Sequence, residues 1–341
     1  MIAMISRYFR YPDGVWPNIG ALSVTLGGYP AGIALLVQQN WLVKAFGCAL
    51  LCLSLIWSAY YIHEFAHQAI FKTATANRRW GTLMTWMNGS CYATFDAMRR
   101  KHMRHHVERA DVISFDVQKF LRESPPWLRK LVLALEWMYF PAVEFIMRGF
   151  VIATSFVSRQ SRKAKLRILA ILAVRTGAFT ALGWYSPSAL ALYFLAYLVF
   201  VTVLRFADCF QHTYDAYPIM DDAPIPQDKL RDRAYEQQNT YTNVVGLTSP
   251  VLNMLWLNFG YHNAHHHKPA MPWHRLPALH REFYDDRFTQ VIPARELLRS
   301  FHINRVRRVL SADYGRVLGP DEKGRADGFV GAVGVSFLTT A

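Results

Sequence analysis

Charge is scarce in this sequence, and acidic charge is the scarcer kind. Only 18% of the 341 residues are charged, with 24 Asp and Glu against 38 Lys and Arg; ordinary soluble domains carry about a quarter. Cysteine is rarer still. Cys48, Cys52, Cys91 and Cys209 form no CxxC pair, and two of them lie inside an apolar stretch. This excludes a disulfide framework or a cysteine-based zinc or electron-transfer site, and leaves small buried residues. No fixed-period repeat and no low-complexity linker is present. The N-terminus, MIAMISRYFRYPDGVWPN, lacks a short apolar core followed by a small-residue cleavage site. No cleaved signal peptide is therefore expected, and the first apolar stretch should remain as a span. There is also no basic block interleaved with aromatics, no zinc finger and no RNP-like pattern, so nucleic acid is not an expected partner.

What the sequence has instead is apolar length. Hydrophobic residues make up 52%, yet the net charge is +14 with pI near 9.7. The basic residues flank long uncharged segments, which points to an anionic membrane face. Residues 20–38 carry no charge, and nineteen helical residues reach about 28 Å, enough for the hydrocarbon core. Residues 42–61 contain only Lys44, near one end, and further spans are predicted over 168–186 and 188–206. The tips between paired spans, around Asn40 and around Ser186-Pro187-Ser188, have no Lys or Arg. Residues 62–130 have twelve, and 159–167 have five. The positive-inside rule then puts both tips outside and all other segments in the cytoplasm.

Residues 131–157 are apolar enough to suggest a fifth span. However, Glu136, Glu144 and Arg148 fall on one helical side, and a crossing would put the basic cluster on the wrong side. One amphipathic helix lying in the interface is expected there. Arg175, alone within the third span, should snorkel or face inward. The predicted class is an all-α integral membrane protein. Its parts are four transmembrane helices in two hairpins, an interfacial amphipathic helix and a cytosolic helical cap that carries the histidines. Residues 1–318 should form a single domain, with a poorly ordered Gly-rich tail over 319–341.

Nine of the thirteen histidines fall in four places: His63 and His67 in HEFAH, His102, His105 and His106 in HMRHH, His212 in DCFQH, and His262, His265 and His266 in HNAHH. Residues at i, i+3 and i+4 share a helix face, so each cluster can aim its imidazoles at one spot. All four lie at or beyond the cytoplasmic ends of spans. Nine imidazoles gathered without a metal would leave many nitrogens to satisfy. HEFAH also matches the HExxH zinc-protease signature. One open zinc site needs about three protein ligands, which would leave six of the nine histidines without a role. Nine divide naturally between two metals of four to five imidazoles each, and redox chemistry on an apolar substrate selects iron. A transporter whose histidines carry metal or protons is a further alternative. Glu64, Glu108 and Asp111 are candidates for orienting imidazoles. Residues 80–95, rich in aromatics and Met, either line an acyl tunnel or simply pack.

The order HxxxH, HxxHH, HxxHH around two hairpins resembles the membrane fatty-acid desaturase superfamily over roughly residues 20–290. The resemblance implies a di-iron centre held by His63, His67, His102, His105, His106, His262, His265 and His266. It also implies a ninth ligand, His212. In acyl-CoA desaturases the residue four before that histidine is an asparagine that reaches iron through water; here it is Asp208. The alternative for Asp208 is an ion pair with Arg205. His267 extends the third box without being an expected ligand. The implied reaction is O2-dependent desaturation of an acyl chain carried by CoA, a carrier protein or a lipid. A hydroxylase, ketolase or acetylenase is the nearest variant. No haem motif is fused, so a separate donor such as ferredoxin or cytochrome b5 must supply electrons.

Overall fold

The computed structural model describes residues 6–157, 162–218, 224–245, 250–284, 288, 290–311, 313–317, 326, 328–336 and 338–339. In chain order the longer helices are α1 (Val15–Leu36), α2 (Trp41–Ala66), α3 (Ala74–Asn88), α4 (Phe95–Glu108), α5 (Pro126–Trp137), α6 (Ala142–Val157), α7 (Arg162–Tyr185) and α8 (Pro187–Asp208). Two short helices near the histidines are α9 (Arg233–Gln238) and α10 (His262–His267). Among the described residues the only sheet is a parallel pair, β1 (Asp111–Ile113) with β2 (Ala216–Pro218). Four helical segments are long and apolar enough to cross a membrane: Pro12–Leu36, Trp41–Ala66, Arg162–Tyr185 and Pro187–Asp208. Contacts divide the chain into two units. One is built from residues up to Ala97 together with Arg148–Val203, the other from Met98–Met147 and Leu204–Thr340.

In the first unit, glycine lets α1 and α2 approach closely. A methyl group at Gly32 would come within 3.0 Å of the Gly47 carbonyl oxygen, and one at Gly47 within 3.0 Å of the Gly32 oxygen. Such small-residue contacts replace the hydrophobic drive that lipid removes. Asn40 starts α2 by accepting from the amides of Leu42 and Val43 at 2.8 and 3.3 Å, satisfying donors that a helix start leaves orphaned. Lys44 is buried. Its Nζ donates to Ser188 Oγ at 2.7 Å and sits over the Trp41 ring. The exposed Trp41, Trp184 and Tyr185 flank these tips, where aromatic side chains favour a membrane–water boundary. Helix α3 ends at Gly89, with φ +76°. Its last carbonyls are met by Arg175 Nη1 on Trp86 O at 3.0 Å, Tyr197 Oη on Asn88 O at 3.1 Å and Arg148 Nη1 on Gly89 O at 3.3 Å. Arg175 thus turns inward rather than snorkelling. Trp80 stacks on Phe71, and Phe95 lies where a Gly81 side chain would be, so these two residues of the 80–95 stretch pack.

The second unit corrects one expectation. The single amphipathic helix over 131–157 is instead two, α5 and α6, separated at Tyr139–Pro141. Tyr139 has φ +63°, and Pro141 cannot continue the hydrogen-bond ladder. Glu136 does not face water. It is buried, its Oε1 accepts from the Val143 amide at 2.9 Å and its Oε2 pairs with Arg205 Nη1 at 2.6 Å. Glu144 is buried as well. Of the tail expected over 319–341, residues 319–325, 327, 337 and 340–341 lie outside the described residues. Phe329 is fully buried against Phe210 and Tyr241, and Ala332 N donates to Cys209 O at 2.7 Å. Aromatic burial holds this Gly-rich segment in place, a contribution its composition does not reveal.

Candidate metal centre

In the first unit, His63 occupies the last turn of α2 and His67 is its C-cap. The two rings are 4.7 Å apart, and Glu64 Oε1 lies 3.5 Å from His63 Nδ1. The i, i+4 spacing of HEFAH works as read, because α2 runs unbroken beyond its apolar part.

The second unit brings the other seven histidines together from three places. Helix α4 carries HMRHH, α10 carries HNAHH, and His212 is fixed by an isolated bridge to Thr240. His106 Nε2 lies 3.2 Å from both His102 Nε2 and His265 Nε2. His212 Nε2 lies 3.1 Å from His105 Nε2 and 2.8 Å from His262 Nε2. The ligand atoms of His105, His212 and His266 all fall within 4.8 Å of one another.

The partners on the far side of three rings assign their tautomers. His105 Nδ1 faces two acceptors, Ala110 O at 3.1 Å and Asp111 Oδ1 at 3.2 Å. His266 Nδ1 faces Glu236 Oε1 at 3.0 Å. His212 Nδ1 lies 3.2 Å from Thr240 Oγ1, whose one proton goes to the Glu236 carbonyl at 2.6 Å. Each Nδ1 therefore carries the proton, and each Nε2 presents a bare lone pair. His266 Nε2 is buried with no hydrogen-bond partner. Protonation would not relieve the crowding. Burial, then neighbouring imidazoles, holds His102, His106, His212, His262 and His266 well below the usual histidine range. Neutral imidazoles with converging lone pairs and anchored far sides are what a divalent metal requires. The donor set fits a metal ion.

A cavity of about 50 Å³ beside these rings is lined by Lys101, His102, His105, Asp111, Asp208 and His212, among others. A water needs about 10–15 Å³ of such space, so this cavity has room for a few waters but not for an acyl chain. Asp208 is bonded to Ser336 there. Arg205 goes to Glu136, which overturns Arg205 as the expected alternative partner of Asp208. Of the carboxylates singled out from sequence, Glu64 and Asp111 reach imidazoles. Glu108 does not; it pairs with Arg104 at 3.0 Å. Sequence reasoning missed Glu236 and Thr240. Their i, i+4 spacing was the available signal, and nothing in it pointed to His212 or His266. His267 turns away and packs on Phe283.

A chain with four membrane-length helices and a buried cluster of neutral imidazoles has the form of a membrane metalloenzyme. A family model described as fatty acid desaturase matches residues 39–293, well over half the chain. The chain belongs to the fatty acid desaturase family. No curated protein matches it. Membership makes it an oxidoreductase of the desaturase or hydroxylase type, with an acyl substrate and a need for an electron donor. The family is generally iron-dependent, and the histidine clusters here are consistent with that use. The zinc-protease and transporter alternatives lose their support.

Proposed function

We propose that this protein is an O2-dependent, di-iron acyl desaturase. The observation that carries this reading is the clustering of His105, His212 and His266, one ring nitrogen of each lying within 4.8 Å of the others, with His266 Nε2 buried and unpartnered. With the family resemblance it supports nine ligands: His63, His67, His102, His105, His106, His212, His262, His265 and His266. Asp208 acts on the same centre through water in the adjoining cavity. Bound iron supplies the activation of O2 and the oxidising power to remove hydrogen from unactivated methylenes. The chain's own residues keep His102, His106, His212, His262 and His266 neutral by burial and orient His105, His212 and His266 through Asp111, Thr240 and Glu236. Overall, one O2, two electrons and two protons are consumed, two hydrogens leave the acyl chain and two waters form.

Residues 1–318 act as one membrane domain, with the spans in two hairpins and the histidines in a cap on the cytoplasmic side. The basic residues flanking the spans support that orientation. The acyl group arrives on CoA, a carrier protein or a lipid, and a separate ferredoxin or cytochrome b5 type of donor supplies electrons. Expression in a desaturase-poor bacterium, followed by mass spectrometry of acyl chains and free acids, tests the reading. Acyl chains lighter by two hydrogens are expected. Chains gaining oxygen would identify a hydroxylase or ketolase, and loss of four hydrogens an acetylenase.

A further inference from the structure

The segment after residue 293 lies beyond the family match, yet it touches the histidine site at a definite atom. Tyr314 Oη lies 3.3 Å from Asp111 Oδ2, and Asp111 Oδ1 lies 3.2 Å from His105 Nδ1. The backbone of Asp111 is already fixed, because β1 pairs with β2 and the Asp111 amide donates to Asp215 O at 2.9 Å. What remains free is rotation of its carboxylate. A hydroxyl donating to one oxygen fixes that rotation and keeps the other oxygen on the imidazole.

Tyr314 is itself held on both sides. Gly331 N donates to Tyr314 O at 3.1 Å, and Gly315 bridges to Phe329 with φ +74°. The crossing is so close that a methyl at Gly315 would come 2.2 Å from Gly328 O, so only glycine fits there. The same segment grips the helix of the second histidine box, since buried Lys101 Nζ donates to Ser336 O at 3.1 Å. On its other side Tyr314 forms part of the wall of a cavity of about 590 Å³.

We propose that Tyr314 is a positioning residue of the metal site, acting through Asp111 to hold His105 with its Nε2 aimed at the metal. This rests on His105 being a ligand. Tyr314 touches neither metal nor substrate, and Ala110 O also accepts from His105 Nδ1, so its effect is partial.

The test compares wild type, Tyr314→Phe, Asp111→Ala, the double variant and His105→Ala as purified iron-loaded proteins. The measurements are iron retention against a chelator, the iron spectrum, melting temperature of the metal-free form, and kcat and KM for the acyl substrate. Tyr314→Phe should weaken iron retention by about tenfold, the low end for a group that orients a ligand. It should alter the iron spectrum and lower kcat, and leave KM and the metal-free melting temperature unchanged. Added to Asp111→Ala, it should have no further effect. Wild-type retention in Tyr314→Phe, or an additive effect in the double variant, overturns the proposal. If Asp111→Ala does not fold, Tyr314→Phe alone decides. His105→Ala separates the two levels. Full iron retention there would remove the ligand reading itself, whereas loss of iron there with a silent Tyr314→Phe removes only the relay.

Discussion

Two buried carboxylates of the second unit look alike and have opposite consequences. Around α5 and α8, Glu136 meets Arg205 at 2.6 Å and uses its other oxygen on the Val143 amide. Both carboxylate oxygens find partners within the fold, and nothing at this carboxylate is left for a ligand. Around α9 and α10, Glu236 meets His266 Nδ1 at 3.0 Å and Arg109 at 3.4 Å. This pair is incomplete, because satisfying Nδ1 leaves His266 Nε2 buried and bare. The atoms left over differ in kind. Arg205 Nε and Nη2 are also buried without a hydrogen-bond partner, but they are cationic N–H donors that cannot bind a metal ion, whereas His266 Nε2 is a lone pair that can.

This difference predicts an order of effects. Arg205→Met should be the most damaging to stability, by about 3–5 kcal/mol, because it strands Glu136 as an uncompensated buried charge. The matching Glu136→Gln, Arg205→Met double variant should recover much of that loss in thermal melting. Equal melting of single and double variants would break the view that Arg205 serves to neutralise Glu136. Glu236→Gln should act differently. Its amide oxygen can still accept from His266, so the fold should survive while iron retention against a chelator falls by about tenfold to a hundredfold, or about 1.4–2.8 kcal/mol. A fall in melting of the metal-free protein as large as that of Arg205→Met would erase the distinction. Glu108→Gln should do least, since its partly exposed pair with Arg104 is worth at most about 1 kcal/mol. Iron retention should be unchanged there. Measurable iron loss would show that Glu108 orients a histidine after all.

The same contrast explains what was legible in the sequence. Local periodicity carried the spans and the histidine boxes. A charge-free run long enough for a bilayer and imidazoles spaced i, i+3 and i+4 are both written in consecutive residues, and α1, α2, α7 and α8 lie close to where that reasoning put them. The boundaries shifted because α2 continues past its apolar part to carry His63. The partners of each imidazole were not legible, except where they sat next door, as with Asp111 near His105. Glu236 is thirty residues from His266, and Tyr314 is 203 from Asp111. Only tertiary folding makes those pairs. The split of residues 131–157 is not visible in amphipathic spacing, which continues across Pro141, where the helix ladder cannot. Glu136 and Glu144, read as a watery face, are buried. Glycine content beyond residue 319 likewise says nothing of Phe329, which is buried against Phe210 and Tyr241.

The central claim is that these imidazoles hold two irons, and metal analysis of the purified protein tests it most directly. Iron and zinc should be measured per chain in wild type and in His266→Ala, with acyl-chain products followed alongside. The account predicts two irons and negligible zinc in wild type. In His266→Ala it predicts loss of iron and product from a chain that still melts cooperatively. Stoichiometric zinc in wild type, with activity intact after iron is stripped by a chelator, would contradict it.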